Sequence, residues 1–423
     1  MDNSFVLKGN FVYSKDKNNI VVKENSYCVC ENGISKGVFE VLDEKYKSLP
    51  LIDCKDSVIF PGFTDLHLHA PQYGFRGIGG DRELLDWLET YTFKEEAKYN
   101  DIEYAKKGYK IFADDMKEGF VTRAVVFAQI NVEATLLLME YLEESGLITY
   151  VGKVNMDRNS PDYLIEENAL SSAEDTLKWI EKSKKFERTK PIVTPRFVPS
   201  CTDELMERLG KIAEKYSLPV QSHLSENRSE IEWVKELNPK SKSYADAYDM
   251  FGLFGGDVKT VMAHCVSCTE EECDLIKNKG VFVAHCPQSN LNLTSGIAPI
   301  KKYLDNGVKI GLGSDIGAGY SISVPRAMAD AVQCSKMYKR YVDENVDALT
   351  FEEALYMGTL GGGEFFGKVG SFEEGYEFDA VAVDDSNIKS PMELSVRNRA
   401  ERIMYLSEKC TVNHKFVKGQ KII

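Results

Sequence analysis

Between residues 61 and 370, short apolar runs alternate with helical patterns, and this alternation restricts the fold more than any other feature. The runs are 63–67, 122–128, 149–155, 192–199, 220–223, 261–264, 281–285 and 309–313. Most are continuous apolar stretches, as expected of parallel strands buried on both faces. Helical patterns such as 202–215, 269–279 and 323–341 lie between most of them. Eight β/α units in about 300 residues predict a (β/α)8 TIM-type barrel. An open doubly wound sheet is the competing architecture, but no G-x-G-x-x-G and no Walker loop supports it.

The two ends read differently. Residues 5–7, 10–13, 20–22 and 27–30 are short, β-branched or aromatic, and separated by turn residues. Residues 380–383, 402–406 and 415–420 look the same. Each end is too small to bury a core alone. The chain is therefore expected to be α/β, with a catalytic barrel over 61–370. A small β-sandwich domain is expected from residues 1–60 plus 371–423.

Charge narrows the function. The net charge is −14, from 52 basic and 66 acidic side chains. A duplex nucleic-acid binder needs a basic face, and an anionic membrane would repel this chain. No run of about 18 apolar residues is present, so no transmembrane helix is expected. The start, Met1-Asp2-Asn3-Ser4, is polar and acidic and does not read as a signal peptide. Ten cysteines in that context read as reduced, structural thiols of a cytoplasmic protein. Cys265, Cys268 and Cys273 cluster loosely, but no second C-x-x-C completes a zinc ribbon.

Five of the six histidines carry the chemistry. His67 and His69 form an H-x-H, and His223, His264 and His285 each end an apolar run. Histidine is the usual neutral ligand for zinc and iron. In a barrel, the C-terminal ends of the strands share one mouth, so these five converge there with Arg196 and Asp315. Side chains alternate along a strand, which puts both imidazoles of the H-x-H on one face. Glu226, three residues past His223, can reach metal-bound water without ligating and can move its proton. His414 lies in a polar C-terminal segment and reads as a surface residue.

Taken together, these residues resemble the amidohydrolase superfamily and, within it, the branch that deaminates guanine. The likeness runs through most of the chain. It rests on Pro61-Gly62-Phe63-Thr64-Asp65-Leu66-His67-Leu68-His69-Ala70-Pro71-Gln72-Tyr73, on Leu84-Leu85-Asp86-Trp87-Leu88, and on Tyr91-Thr92-Phe93. Pro195-Arg196-Phe197, His285-Cys286-Pro287-Gln288-Ser289-Asn290 and Gly311-Leu312-Gly313-Ser314-Asp315 complete it. Two departures are Ser314, where Thr is common, and Lys94, where Pro often follows.

The resemblance implies one metal ion per chain, zinc or alternatively Fe(II), held by His67, His69, His223 and Asp315. Glu226, His264 and Asp315 are the expected catalytic residues. Gln72, Arg196 and Phe197 would hold the base, with His223, Glu226 and Asp315 also lining its site. His285 is expected behind the ligands. Trp87 and Phe93 either close the pocket or are ordinary helix residues. Two-metal relatives usually add a carboxylated lysine at the fourth strand; no lysine is a candidate here. The implied reaction is hydrolytic deamination of guanine to xanthine and ammonia, by a homodimer. The alternatives are another amino- or chloro-substituted heterocycle as substrate, or an inactive barrel used as a scaffold. The O6 and N7 acceptors of guanine match an arginine fork. Phe197 offers a stacking face worth about 1–3 kcal/mol.

Overall fold

The computed structural model describes residues 3–423. Eight parallel strands follow one another around the centre: Phe63–His69, Val121–Phe127, Ile148–Gly152, Thr189–Pro191, Val220–Leu224, Thr260–His264, Phe282–His285 and Lys309–Leu312. The eighth pairs with the first through Leu312 and Asp65. A bridge between Val193 and Val220 joins the fourth segment to the fifth. This arrangement is consistent with a TIM-type barrel. Each of the three helices singled out above begins one residue later than its sequence pattern. Thr202 caps Asp203–Tyr216, Thr269 caps Glu270–Lys279, and Ser323 caps Val324–Tyr341, each hydroxyl accepting a backbone N–H of the first turn.

The fourth strand is shorter than the 192–199 expected. Pro191 and Pro195 remove two ladder donors. What forms is Thr189–Pro191, the Val193 bridge, and a two-residue pairing of Thr194–Pro195 with Val154–Asn155. Arg196 and Phe197 therefore lie just past the strand, before a tight turn at Val198–Ser200.

Both chain ends do meet, but the expected β-sandwich is corrected. They form one seven-stranded mixed sheet, in the order Gln420–Lys421, Thr411–Val417, Ala380–Asp384, Leu51–Pro61, Phe5–Ser14, Ile20–Glu31 and Ile34–Phe39. Phe5, Leu7, Phe11, Phe372, Phe378 and Phe416 pack together on one face. On the other, Val12, Val58, Val381 and Val383 join the large core with Val396, Ala400, Ile403 and Met404. Those last four belong to a helix, Val396–Leu406, where a strand over 402–406 was expected. Ser395 caps it, Arg397 pairs with Glu401 one turn on, and its apolar residues recur at helical spacing. A helix thus covers a face that a second sheet would have covered.

His414 sits half-buried on Thr411–Val417 in this sheet, not on the open surface. Arg123, in the second barrel strand, ties barrel to sheet. Its Nε lies 2.8 Å from Asp379 Oδ2, and its Nη2 lies 2.7 Å from Glu377 Oε2. Among the described residues no helix is long and apolar enough to cross a membrane.

Candidate active site

Strand ends deliver the donors. His67 and His69 close the first strand, His223 stands near the end of the fifth, and His264 ends the sixth. Asp315 follows the eighth and is pinned to the first, its N–H donating to the His67 carbonyl at 2.8 Å. His69 N–H in turn donates to the Ile316 carbonyl at 2.7 Å. His264 and Asp315 both adopt positive φ, 75° and 46°. Such strain persists where surrounding contacts impose it, often at working sites.

The donor atoms converge on a common point. His67 Nε2 is 3.1 Å and His69 Nε2 is 3.4 Å from Asp315 Oδ1. His223 Nε2 is 3.2 Å from His69 Nε2. Four ligands about 2.05 Å from a tetrahedral ion stand about 3.3 Å apart. His67 Nε2 makes no hydrogen bond with any described residue despite its closeness to Asp315. A buried nitrogen near a carboxylate but not bonded to it fits a donor aimed at a third body.

Second contacts select the tautomers. His223 Nδ1 lies 2.6 Å from the Arg196 carbonyl, which can only accept, so Nδ1 carries the proton and Nε2 turns its lone pair inward. His264 Nδ1 likewise faces Asn290 Oδ1 at 2.9 Å, leaving Nε2 3.3 Å from Glu226 Oε2 and 3.8 Å from Asp315 Oδ2. Two overlapping trios, His67–His69–Asp315 and His67–His223–His264, could hold a cation. His285 is different: neither ring nitrogen has a hydrogen-bond partner among the described residues, and it does not line the pocket.

Burial depresses the basicity of the His67, His69 and His223 imidazoles, with the neighbouring histidines adding repulsion. Neutral imidazoles are what a metal requires. Burial also acts on Asp315, but the facing imidazoles outweigh it and hold the carboxyl below its usual range. These two tendencies compete, because a neutral His67 attracts Asp315 less than a charged one. A cation at the centre satisfies both. Glu226 goes the other way: burial, then the charges of Asp315 and Glu230, push it well above the ordinary carboxylate range. Two carboxyl groups in one site are thereby pushed apart, one staying ionised and one readily protonated.

A pocket opens beside the donors. Gln72, Arg196 and Phe197 line it, as the sequence suggested, together with His69, His223, Glu226, His264 and Asp315. Leu84, Trp87 and Leu88 form one wall, so Trp87 does border the pocket. Phe93 does not; its ring lies 5.1 Å from the Arg196 guanidinium. Phe197 meets Trp233 edge-on, with ring centroids 6.1 Å apart.

Four contributors were not legible beforehand. Glu96 engages the end of the Arg196 fork, so two of the five guanidinium donors are already used. Three donors remain, enough for the bidentate match expected of this arginine. Glu230 accepts the Glu226 N–H at 3.0 Å and orders the turn that carries Glu226. Ser295 Oγ donates to Glu226 Oε1 at 3.2 Å, and Asn290 orients His264. Glu230 left a trace in the sequence as the N-x-x-E capping pattern starting at Asn227, and Asn290 closes the quoted His285–Asn290 motif, though its contact with His264 could not be read there. Nothing local distinguishes Glu96 from Glu95.

Comparison with known proteins agrees with this geometry. A family model described as Amidohydrolase family matches residues 58–422. The guanine deaminase of Dictyostelium discoideum is 36% identical over 443 aligned positions, covering 99% of this chain and 98% of its own. That of Mus musculus is 38% identical over 381 positions, covering 86% and 82%. A crystal structure of guanine deaminase from C. acetobutylicum, with guanine bound in its active site, superposes with a TM-score of 0.96. It is 46% identical, with 99% of this chain and 100% of that one covered.

Proposed function

This chain belongs to the amidohydrolase family, and we propose that it hydrolyses guanine to xanthine and ammonia. The observation that carries the reading is the sharing of one pocket by the convergent donors and by Arg196, Gln72 and Phe197. His67, His69, His223 and Asp315 are the assigned ligands of one divalent ion per chain. Zinc suits this set, and so does Fe(II). A bound ion would act as a Lewis acid and lower the pKa of a water from about 15.7 to about 7.

The chain's own groups do the rest. Glu226 takes a proton from the water that adds to C2 and passes it to ring N3. Its upward shift, caused by burial and the facing Asp315 and Glu230, suits a group that must both accept and return a proton. Ser295 holds one oxygen of Glu226, leaving the other facing His264. His264 hydrogen-bonds the attacking water. Asp315 helps move the second water proton to the exocyclic nitrogen, which leaves as ammonia, and C2 keeps the oxygen. Arg196 and Gln72 orient the purine edge, and Phe197 stacks on its face. His285 supports the site from behind.

Residues 61–370 are assigned to the catalytic barrel, and 1–60 with 371–423 to the β unit that braces it. The reading includes a homodimer in the cytoplasm, which light scattering and cell fractionation would test. The deciding experiment incubates the purified, metal-loaded protein with guanine, adenine, cytosine and an aminotriazine. Xanthine and ammonia in equal amounts from guanine alone is the expected result. Turnover of another heterocycle with guanine untouched would overturn it.

A further inference from the structure

A guanidinium buried in a pocket for a neutral base poses an electrostatic problem. Guanine brings no countercharge, so the charge must be balanced by the protein. Three carboxylates line the same cavity: Glu226, Glu230 and Asp315. A mobile Arg196 would be drawn onto them, which would disable the groups assigned to proton transfer and metal binding.

Glu96 removes that possibility. It is only 2% exposed and does not line the cavity. Its Oε2 accepts from Arg196 Nη1 at 2.5 Å, and its Oε1 accepts from Arg196 Nη2 at 3.1 Å. Oε1 also accepts from Gln72 Nε2 at 2.8 Å. The far end of the same carboxamide, Gln72 Oε1, accepts the Gly317 N–H at 3.0 Å, which sets the amide orientation. A Cβ at Gly317 would come within 2.8 Å of the Gln72 carbonyl oxygen, so glycine permits this approach. Phe93 lies beside the guanidinium at 5.1 Å.

We propose that Glu96 is a positioning residue for base recognition: one carboxylate holds Arg196 and Gln72 as a single rigid unit, so that guanine is selected over purines lacking the 6-oxo group. The inference rests on the reading of this pocket as a guanine site. Preorganised donors discriminate because they neither reorient toward a wrong ligand nor find other partners.

The test compares guanine with 2-aminopurine, which keeps the 2-amino group and lacks the 6-oxo group, using metal-loaded protein. Glu96→Gln places an amide N–H among donors and removes the countercharge. Its guanine to 2-aminopurine ratio of kcat/KM should fall at least about tenfold, with the loss on guanine mainly in KM. Metal content should stay at the parent level. Glu96→Asp keeps the charge but withdraws it by one methylene. It should lose about threefold or more, and less than the Gln variant. If the Gln variant fails to fold, the Asp variant decides alone. A parent ratio in either variant, or equal losses on both substrates, overturns the role of Glu96. A parent protein that does not prefer guanine would instead overturn the underlying assignment of the pocket.

Discussion

The carbonyl oxygen of Arg196 accepts a hydrogen bond from Nδ1 of His223 at 2.6 Å, while the side chain of Arg196 lines the pocket. One residue thus touches both halves of the site. Its backbone sets the tautomer of His223, proposed as a metal ligand, and its side chain borders the pocket proposed to take the base. Because the first contact is made by the main chain, substitution of the side chain should separate the two.

Arg196→Met should therefore keep its metal while losing preference for guanine over adenine. It also strands Glu96, which is buried, so stability should fall by about 3–5 kcal/mol. Denaturant titration together with kcat/KM on both bases checks this. A variant that processes guanine as well as the parent would show the arginine to be structural.

The donor set predicts one equivalent of divalent metal per chain. His67→Ala should lose metal and activity together, since the remaining ligands no longer close the site. Elemental analysis of both proteins is the check. Two equivalents in the parent would contradict a mononuclear centre.

Glu226→Gln should retain metal and bind guanine, yet turn over at least about 100-fold more slowly. Metal content and single-turnover rates separate chemistry from binding. Loss of metal in this variant would make Glu226 a ligand.

Burial drives the imidazole of His285 down to about 3. Between about 3 and the unfolded value near 6.5, the unfolded chain holds a proton here that the folded chain does not. Stability from this residue is thus present above about 6.5 and is lost as pH falls, by up to about 1.4 kcal/mol per unit. Between pH 7 and 5, the metal-free parent should lose about 2 kcal/mol more than His285→Leu. Urea titrations at both pH values test this, and equal losses would show that His285 is not held neutral.

Arg123→Met should destabilise the protein by about 3–5 kcal/mol, because the Asp379 side chain is fully buried and would lose its partner. Far from its melting point the variant should keep the parent kcat, since the pair lies outside the pocket. Thermal melts with parallel assays decide it; an unchanged melting temperature would mean that this tie contributes little.

The sequence by itself determined the eightfold alternation of strand and helix, the starts of three helices to within one residue at Asp203, Glu270 and Val324, and the placement of His67, His69, His223, His264 and Asp315 at or just past strand ends. These features are local. Hydrophobic periodicity, capping residues and side-chain alternation act within a few positions, so they can be read in order along the chain. What only the tertiary structure decided involves partners far apart in sequence. Glu96 meets Arg196 across 100 residues, and Arg123 meets Asp379 across 256. The 402–406 segment looked like a strand because a short apolar run does not declare its period; its burial against the terminal sheet shows it to be helical. Long-range charge pairing and the face an element must cover are set by how the chain folds back on itself, and no local pattern encodes either.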